Sequence, residues 1–216
     1  MLAANFVAGL SIGDFNAAAS RFLAAASQRR EAITPEQKSA ADKEFAAAVA
    51  ETEVPRQRMT LHFYLGVASS LLAILVNCIT VTYFIGTSRW CREVVETYHL
   101  PDDYAQRSAT LKRRTFPYAL LGMFSVLGIV TLGALSDPTI PWRLNDKMWF
   151  NVTFPPHTVV NPHYLCAMVG LLVISFAFWI QATRIAANYG IIDEILAQVQ
   201  RIRGERGMAM KPEEQR

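Results

Sequence analysis

The chain has 216 residues, of which 52% are hydrophobic and 18% are charged, and its formal net charge is +3. So small a positive charge, with no concentrated basic face, argues against nucleic acid as a partner. The three cysteines are odd in number and irregularly spaced, which excludes a disulfide framework and a CxxC metal site. Cys78 and Cys166 are expected to be buried thiols.

Residues 1–58 form a polar N-terminal region for which we predict two short amphipathic helices, packed on each other or lying on a bilayer. Residues 1–13 give little support to a cleaved signal peptide, because no basic residue precedes their apolar part. Asp14 is a candidate cap for the first helix. The second begins at Thr34-Pro35-Glu36-Gln37, where a capping residue precedes a proline and a glutamine. Pro55 is predicted to end it.

Residues 59–187 contain three apolar runs, at about 61–85, 116–135 and 164–183, with no Asp, Glu, Lys or Arg inside them. Each is long enough to cross a bilayer as a helix. We therefore predict an all-α integral membrane protein built on a three-helix transmembrane bundle. The connection at 86–115 is expected to be largely helical, with a kink at Pro117. The connection at 136–163 is rich in proline and aromatic residues, so it cannot form a long helix.

The basic residues near the span ends predict the orientation. The ten on one side are Arg89, Arg92, Arg107, Lys112, Arg113 and Arg114 between the first two spans and Arg184, Arg201, Arg203 and Arg206 after the third. The four on the other side are Arg56 and Arg58 just before the first span and Arg143 and Lys147 in the 136–163 connection. Because basic residues concentrate on the inner side, the first set is expected in the cytoplasm. This makes the protein a multi-pass protein of a cell or inner membrane, with the N-terminus outside and the C-terminus cytoplasmic.

Small and polar residues at helical spacing mark the faces through which the spans are expected to pack, because lipid provides no hydrophobic drive between helices. Asn77 in particular should find a partner on another helix. The predicted packing residues are Gly66, Ser70, Ala73 and Asn77 in the first span, Gly122 and Ser125 in the second, and Ala167, Gly170 and Ala177 in the third.

Residues 188–216 are predicted to be a cytoplasmic helix followed by a polar tail. Apolar residues continue beyond the third span at spacings of four and three, which is typical of a coiled-coil seam. The seam consists of Ile185, Tyr189, Ile192, Leu196 and Val199. It is too short to be stable alone, and the end of the first span is its nearest candidate partner.

Two histidines, His62 and His163, fall at the outer ends of the first and third spans and could approach each other. Imidazole ligates haem iron and other metals, so a b-type haem or a metal site is one interpretation. Two interfacial histidines bonded to backbone and water are the favoured alternative, because no further ligand motif accompanies them. No cofactor is therefore expected, with haem b as the alternative.

No catalytic motif is present: the chain has no GxSxG, no glycine-rich phosphate loop and no HExxH. We therefore expect a non-enzymatic scaffold or accessory subunit that binds other membrane proteins, or copies of itself, through its transmembrane and cytoplasmic helices. The alternatives are a transmembrane signal relay and, third, a haem-carrying redox subunit.

Overall fold

The computed structural model describes residues 1–12, 15–136, 152–154, 158–160 and 162–207. The described chain is dominated by five helices, which confirms the all-α prediction. They are α1 (Leu2–Leu10), α2 (Phe15–Glu31), α3 (Pro35–Tyr98), α4 (Asp103–Leu135) and α5 (Pro162–Glu205). Two three-residue strands, β1 (Val152–Phe154) and β2 (Thr158–Val160), pair in antiparallel fashion. They are the described part of the proline-rich connection, of which residues 137–151, 155–157 and 161 lie outside the described residues.

Three helices, α3, α4 and α5, are long and apolar enough to cross a membrane, as the three apolar runs predict. All three also extend well past their apolar runs. The 86–115 connection is therefore not a loop but the ends of α3 and α4, which we call the helical hairpin. Its turn is set by His99, which adopts φ 52°, while the Leu100 N–H bonds to the Val95 carbonyl at 3.0 Å. This is the Schellman arrangement, with histidine where glycine is usual.

The start of α3 is capped as predicted. The Gln37 N–H donates to Thr34 Oγ1 at 3.2 Å, and the Thr34 N–H donates to Gln37 Oε1 at 3.1 Å. The two residues thus satisfy each other's exposed amides, which is the reciprocal capping box.

Pro55 does not end the second helix, and that prediction is wrong. The helix runs through Pro55 for 64 residues as α3, so position 58 is not the end of a structural element. A proline removes one N–H and crowds the carbonyl four residues earlier. Here α2 packs on the preceding segment, with the Phe22 and Phe45 rings 5.4 Å apart and ion pairs from Arg21 and Arg29 to Glu51 and Asp42. These contacts hold the helix on the N-terminal side of the proline.

Helix α1 was not predicted. Its sequence is short and apolar, with no charged residue, so it lacks the polar face that reveals an amphipathic helix. In the structure it packs through Phe6, whose ring lies 5.7 Å from that of Tyr164. Asp14, the predicted cap of the next helix, lies outside the described residues, as do residues 208–216 of the polar tail.

The cysteines differ from expectation. Cys78 is exposed and Cys166 partly exposed, whereas Cys91 is buried completely. Cys78 lies one residue past the buried Asn77, which turns it away from the packed face. The burial of Cys91 raises the pKa of its thiol.

The chain divides into two compact units. The first comprises Met1–Ala73 and Ser125–Leu172, and the second comprises Ile74–Phe124 and Val173–Arg216. Each unit contains one polar centre, which is buried in the second unit and half-buried in the first.

Replacing Pro55 with alanine should strengthen α3, because alanine restores the backbone N–H that proline lacks and fits a helix interior without strain. A proline in a helix interior costs about 3 kcal/mol. We expect slower amide hydrogen exchange over residues 50–56. Pro35→Ala is the matched control, since proline is well tolerated at the first helical position. Unchanged or faster exchange in Pro55→Ala would contradict a continuous helix.

Candidate functional site: two polar centres

The centre of the second unit begins at Asn77 on α3, whose side chain is completely buried. Gln181 on α5 donates from Nε2 to Asn77 Oδ1 at 2.9 Å. On the α4 side, Asn77 lies directly against Gly122, where an added Cβ would come within 2.9 Å of Oδ1. The amide therefore fills the space that the missing glycine side chain leaves, and it links three helices at one point.

Asn188 forms a second junction in the same unit and is also completely buried. Its Oδ1 accepts from Ser108 Oγ of α4 at 2.9 Å. Its Nδ2 faces two oxygens of α3, Tyr83 Oη at 3.2 Å and Thr87 Oγ1 at 3.0 Å. A buried polar group that is bonded on both its donor and acceptor sides is stable in this environment, whereas an unpaired one is costly.

The predicted packing residues can now be placed. In the first unit Ala73 is buried, Gly66 faces Asn5 and Gly170 faces Ile129, while Ser70, Ser125 and Ala167 are half-buried. In the second unit Asn77, Gly122 and Ala177 are buried.

Part of the predicted seam packs against the end of α3: Val199 is buried there and Ile192 packs against the same cluster. Tyr189 and Leu196 are 66% and 43% exposed, so they do not pack against the end of α3. The apolar cluster of the helical hairpin uses the neighbouring face of α5. Its buried members are Cys91, Val95, Leu100, Ile191, Ile195 and Val199. Asn188 explains the difference, since its hydrogen bonds turn that face of α5 inwards and carry residues 191, 195 and 199 with it.

Charged residues border this cluster. The Arg107 guanidinium contacts both carboxylate oxygens of Glu194, at 2.7 and 3.1 Å, and lowers the pKa of Glu194. Any stability from this pair is therefore present at neutral pH and is lost as the pH falls through the pKa of Glu194. Arg184 donates to the Arg114 carbonyl, and its guanidinium lies 4.8 Å from the Tyr118 ring centroid. These contacts place Arg184 beside the turn that Pro117 weakens.

The centre of the first unit brings His62 and His163 together, with their ring centroids 6.3 Å apart and an interplanar angle of 70°. His62 Nδ1 lies 3.0 Å from the Asn5 carbonyl oxygen on α1. Because a carbonyl oxygen only accepts, Nδ1 is the nitrogen that carries the proton in this contact. The ring rests on Gly9, where an added Cβ would lie 2.9 Å from Cε1.

His163 lies against α4. An added Cβ at Gly133 would come within 2.9 Å of its Cε1, so the imidazole fills the space that the missing glycine side chain leaves.

Among the described residues no group of three or more His, Cys, Asp or Glu side chains is arranged to hold a metal ion. Comparison with known families, curated proteins and solved structures gives no match.

Sequence reasoning missed several members of these centres. Tyr83 lies inside the first apolar run, whereas Thr87 and Ser108 lie beyond the runs. Extending the helical pattern past the span ends would have found Thr87, ten residues after Asn77. Gly133 lies eleven residues, or three helical turns, after Gly122. Asn5 and Gly9 carry no such signal, because α1 shows no polar stripe.

Gly122→Ala should destabilise the protein, since the new Cβ meets the Asn77 amide at 2.9 Å. Overpacking of this kind costs about 1–3 kcal/mol. Gly128→Ala, on the same helix, has no atom within 4 Å of its added Cβ and should be neutral or slightly stabilising. The measurement is unfolding in detergent with increasing denaturant. Equal midpoints for the two variants would show that Asn77 does not sit against Gly122.

Proposed function

We propose that this protein is a non-enzymatic integral membrane scaffold or accessory subunit, which binds another membrane protein or a second copy of itself through the part of α5 that extends beyond the membrane. The observation that carries the proposal is an apolar stripe, consisting of Ile185, Tyr189, Ile192 and Leu196, which we call the α5 stripe. Tyr189 and Leu196 are exposed, and the two isoleucines are half-buried.

The position of the α5 stripe along the helix supports a protein partner. Helix α5 has 44 residues, about twice the roughly 20 that cross the hydrocarbon core. The stripe lies in the second half, among Asp193, Glu194 and Arg201. Large apolar side chains that face water in a row of this spacing are typical of an interface whose partner is missing.

The polar side chains inside the protein support a structural role. Gln181 on α5 donates a hydrogen bond to Asn77 on α3, and Asn188 on α5 bonds to both α4 and α3. Hydrogen bonds between helices hold them together in lipid. The three apolar runs contain no Asp, Glu, Lys or Arg, and such residues mark most ion and proton pathways. The interior therefore suits assembly better than transport or catalysis.

We further propose the orientation given by the basic residues, with the helical hairpin and the end of α5 in the cytoplasm. The Arg107–Glu194 and Arg184–Arg114 contacts occur on this side, where water and lipid headgroups solvate charged groups. The bilayer and a protein partner are thus the expected surroundings, and nucleic acid is not.

A signal relay is the second candidate. It is favoured by the continuity of α3, a single helix from Pro35 to Tyr98. A rotation or shift of its N-terminal segment would reach the helical hairpin without crossing a loop.

The scaffold proposal predicts that charges on the α5 stripe break the assembly. We expect native mass measurement in mild detergent to give a complex of two copies, or one copy with a co-purifying protein. Tyr189→Glu and Leu196→Glu should reduce it to a monomer, because a carboxylate would be buried at the contact.

Ala187→Glu is the matched control, because Ala187 is exposed and lies about half a turn round α5 from the stripe, so its charge should leave the complex intact. A wild-type protein that is monomeric and carries no partner would contradict the proposal. So would a complex that survives both stripe variants.

A further inference from the structure

Arg184 and the Tyr118 ring bring a cation and an aromatic surface together at the border of the apolar runs. Arg184 directly follows the third run and is half-buried. It donates to the Arg114 carbonyl, and its guanidinium lies 4.8 Å from the Tyr118 ring centroid, which is a cation–π contact. An arginine at the end of a span usually extends away from the apolar region to reach water. This one is held against α4, so its position is fixed before any ligand binds.

The ring contacts continue from Arg184 into the apolar part of the second unit. The Tyr118 centroid lies 6.1 Å from that of Phe176, and the Phe176 centroid lies 6.1 Å from that of Trp179. We call these three residues the aromatic row. Phe176 and Trp179 are 49% and 62% exposed, so their rings are on the surface. Since Phe176 precedes Arg184 by eight residues, the row extends about 12 Å from the charged border into the apolar region.

The positive charge beside the aromatic row is not neutralised by a carboxylate. Among the described residues no Asp or Glu lies within ion-pair distance of Arg114 or Arg184. Residues 104–135 of α4 and 162–192 of α5 contain no acidic residue. Arg114 is exposed and precedes Tyr118 by one helical turn, so it lies on the same face of α4 as the row. The protein therefore presents an uncompensated positive charge at the edge of an apolar surface.

We propose that Arg114, Arg184 and the aromatic row form a binding site for one anionic phospholipid. The guanidiniums bind the phosphate, because their planar N–H groups match two phosphate oxygens at once. Arg184 has five N–H donors, so its bond to the Arg114 carbonyl leaves others for this contact. An acyl chain lies along the exposed rings, which a soluble phosphate would leave unused. A zwitterionic lipid brings its own cation, so the uncompensated charge of the protein favours an anionic one.

The test is native mass measurement of the full-length protein in mild detergent, titrated with phosphatidylglycerol or with phosphatidylcholine of the same acyl chains. We expect one phosphatidylglycerol per chain to bind at least about tenfold more tightly than phosphatidylcholine. Arg114→Gln and Arg184→Gln should each reduce this preference about fivefold, the effect of one basic residue near an anionic headgroup. Arg113→Gln is the matched control and should keep the preference. It removes an equal charge from an exposed residue that points about 100° away from Arg114 around α4.

Trp179 provides a second measurement that leaves every charge in place. Phosphatidylglycerol with brominated acyl chains should quench the tryptophan fluorescence of the wild-type protein more than brominated phosphatidylcholine does. This difference should disappear in Trp179→Phe, because Trp179 is the tryptophan of the aromatic row. Trp90→Phe is the matched control and should keep the difference. Circular dichroism reports that each variant is folded.

Three results would overturn the site. The first is equal affinity of the wild-type protein for the two lipids. The second is an equal loss of preference in Arg113→Gln and Arg114→Gln, which would show diffuse attraction to a basic surface. The third is displacement of the bound lipid by inorganic phosphate at equal concentration, which would show an anion site in which the rings take no part. The wild-type preference decides the question even where a variant fails to fold.

Discussion

The structure depends on one kind of contact, a polar side chain of one helix seated against a glycine of the next. Asn77 lies on Gly122, His62 on Gly9 and His163 on Gly133, each closer than an alanine would allow. Lipid removes the hydrophobic reason for helices to associate, so close backbone approach and interhelical hydrogen bonds must provide it. The glycine permits the approach and the polar group supplies the bond, and both compact units use this same combination.

The hydrogen bonds of Asn188 determine which face of α5 packs inside the protein. Once Asn188 bonds to Ser108 and Tyr83, the rotation of α5 about its own axis is fixed. Ile191, Ile195 and Val199 then turn inwards to the helical hairpin, while Tyr189 and Leu196 turn outwards. A buried polar contact thus determines which apolar residues are available to a partner. The proposed binding surface follows from the internal network rather than from apolar spacing alone.

The sequence predicted the three spans and the capping box, because length, hydropathy and the Thr34–Gln37 spacing are local properties. It also placed Asn77, Gly122 and Ala177 on packing stripes. The sequence could not predict which apolar face of α5 packs against the helical hairpin, because two adjacent faces have the same spacing. The hydrogen-bond partners of Asn188 on α3 and α4 decide between them. Continuity through Pro55 depends on the support of α2, a tertiary contact that no local rule contains. The anchoring of His62 by α1 was likewise hidden, because α1 has only nine residues and none of them is charged.

The most direct test of this account is a double-mutant cycle between Asn77 and Gln181, measured as the free energy of unfolding in detergent. Asn77→Ala, Gln181→Ala and the double variant isolate the coupling between the two amides. Interhelical hydrogen bonds in membrane proteins give coupling energies of about 0.6–1.7 kcal/mol, and the 2.9 Å contact predicts a favourable value in this range. Additive single effects, with no coupling, would contradict the claim that these polar contacts hold the helices together.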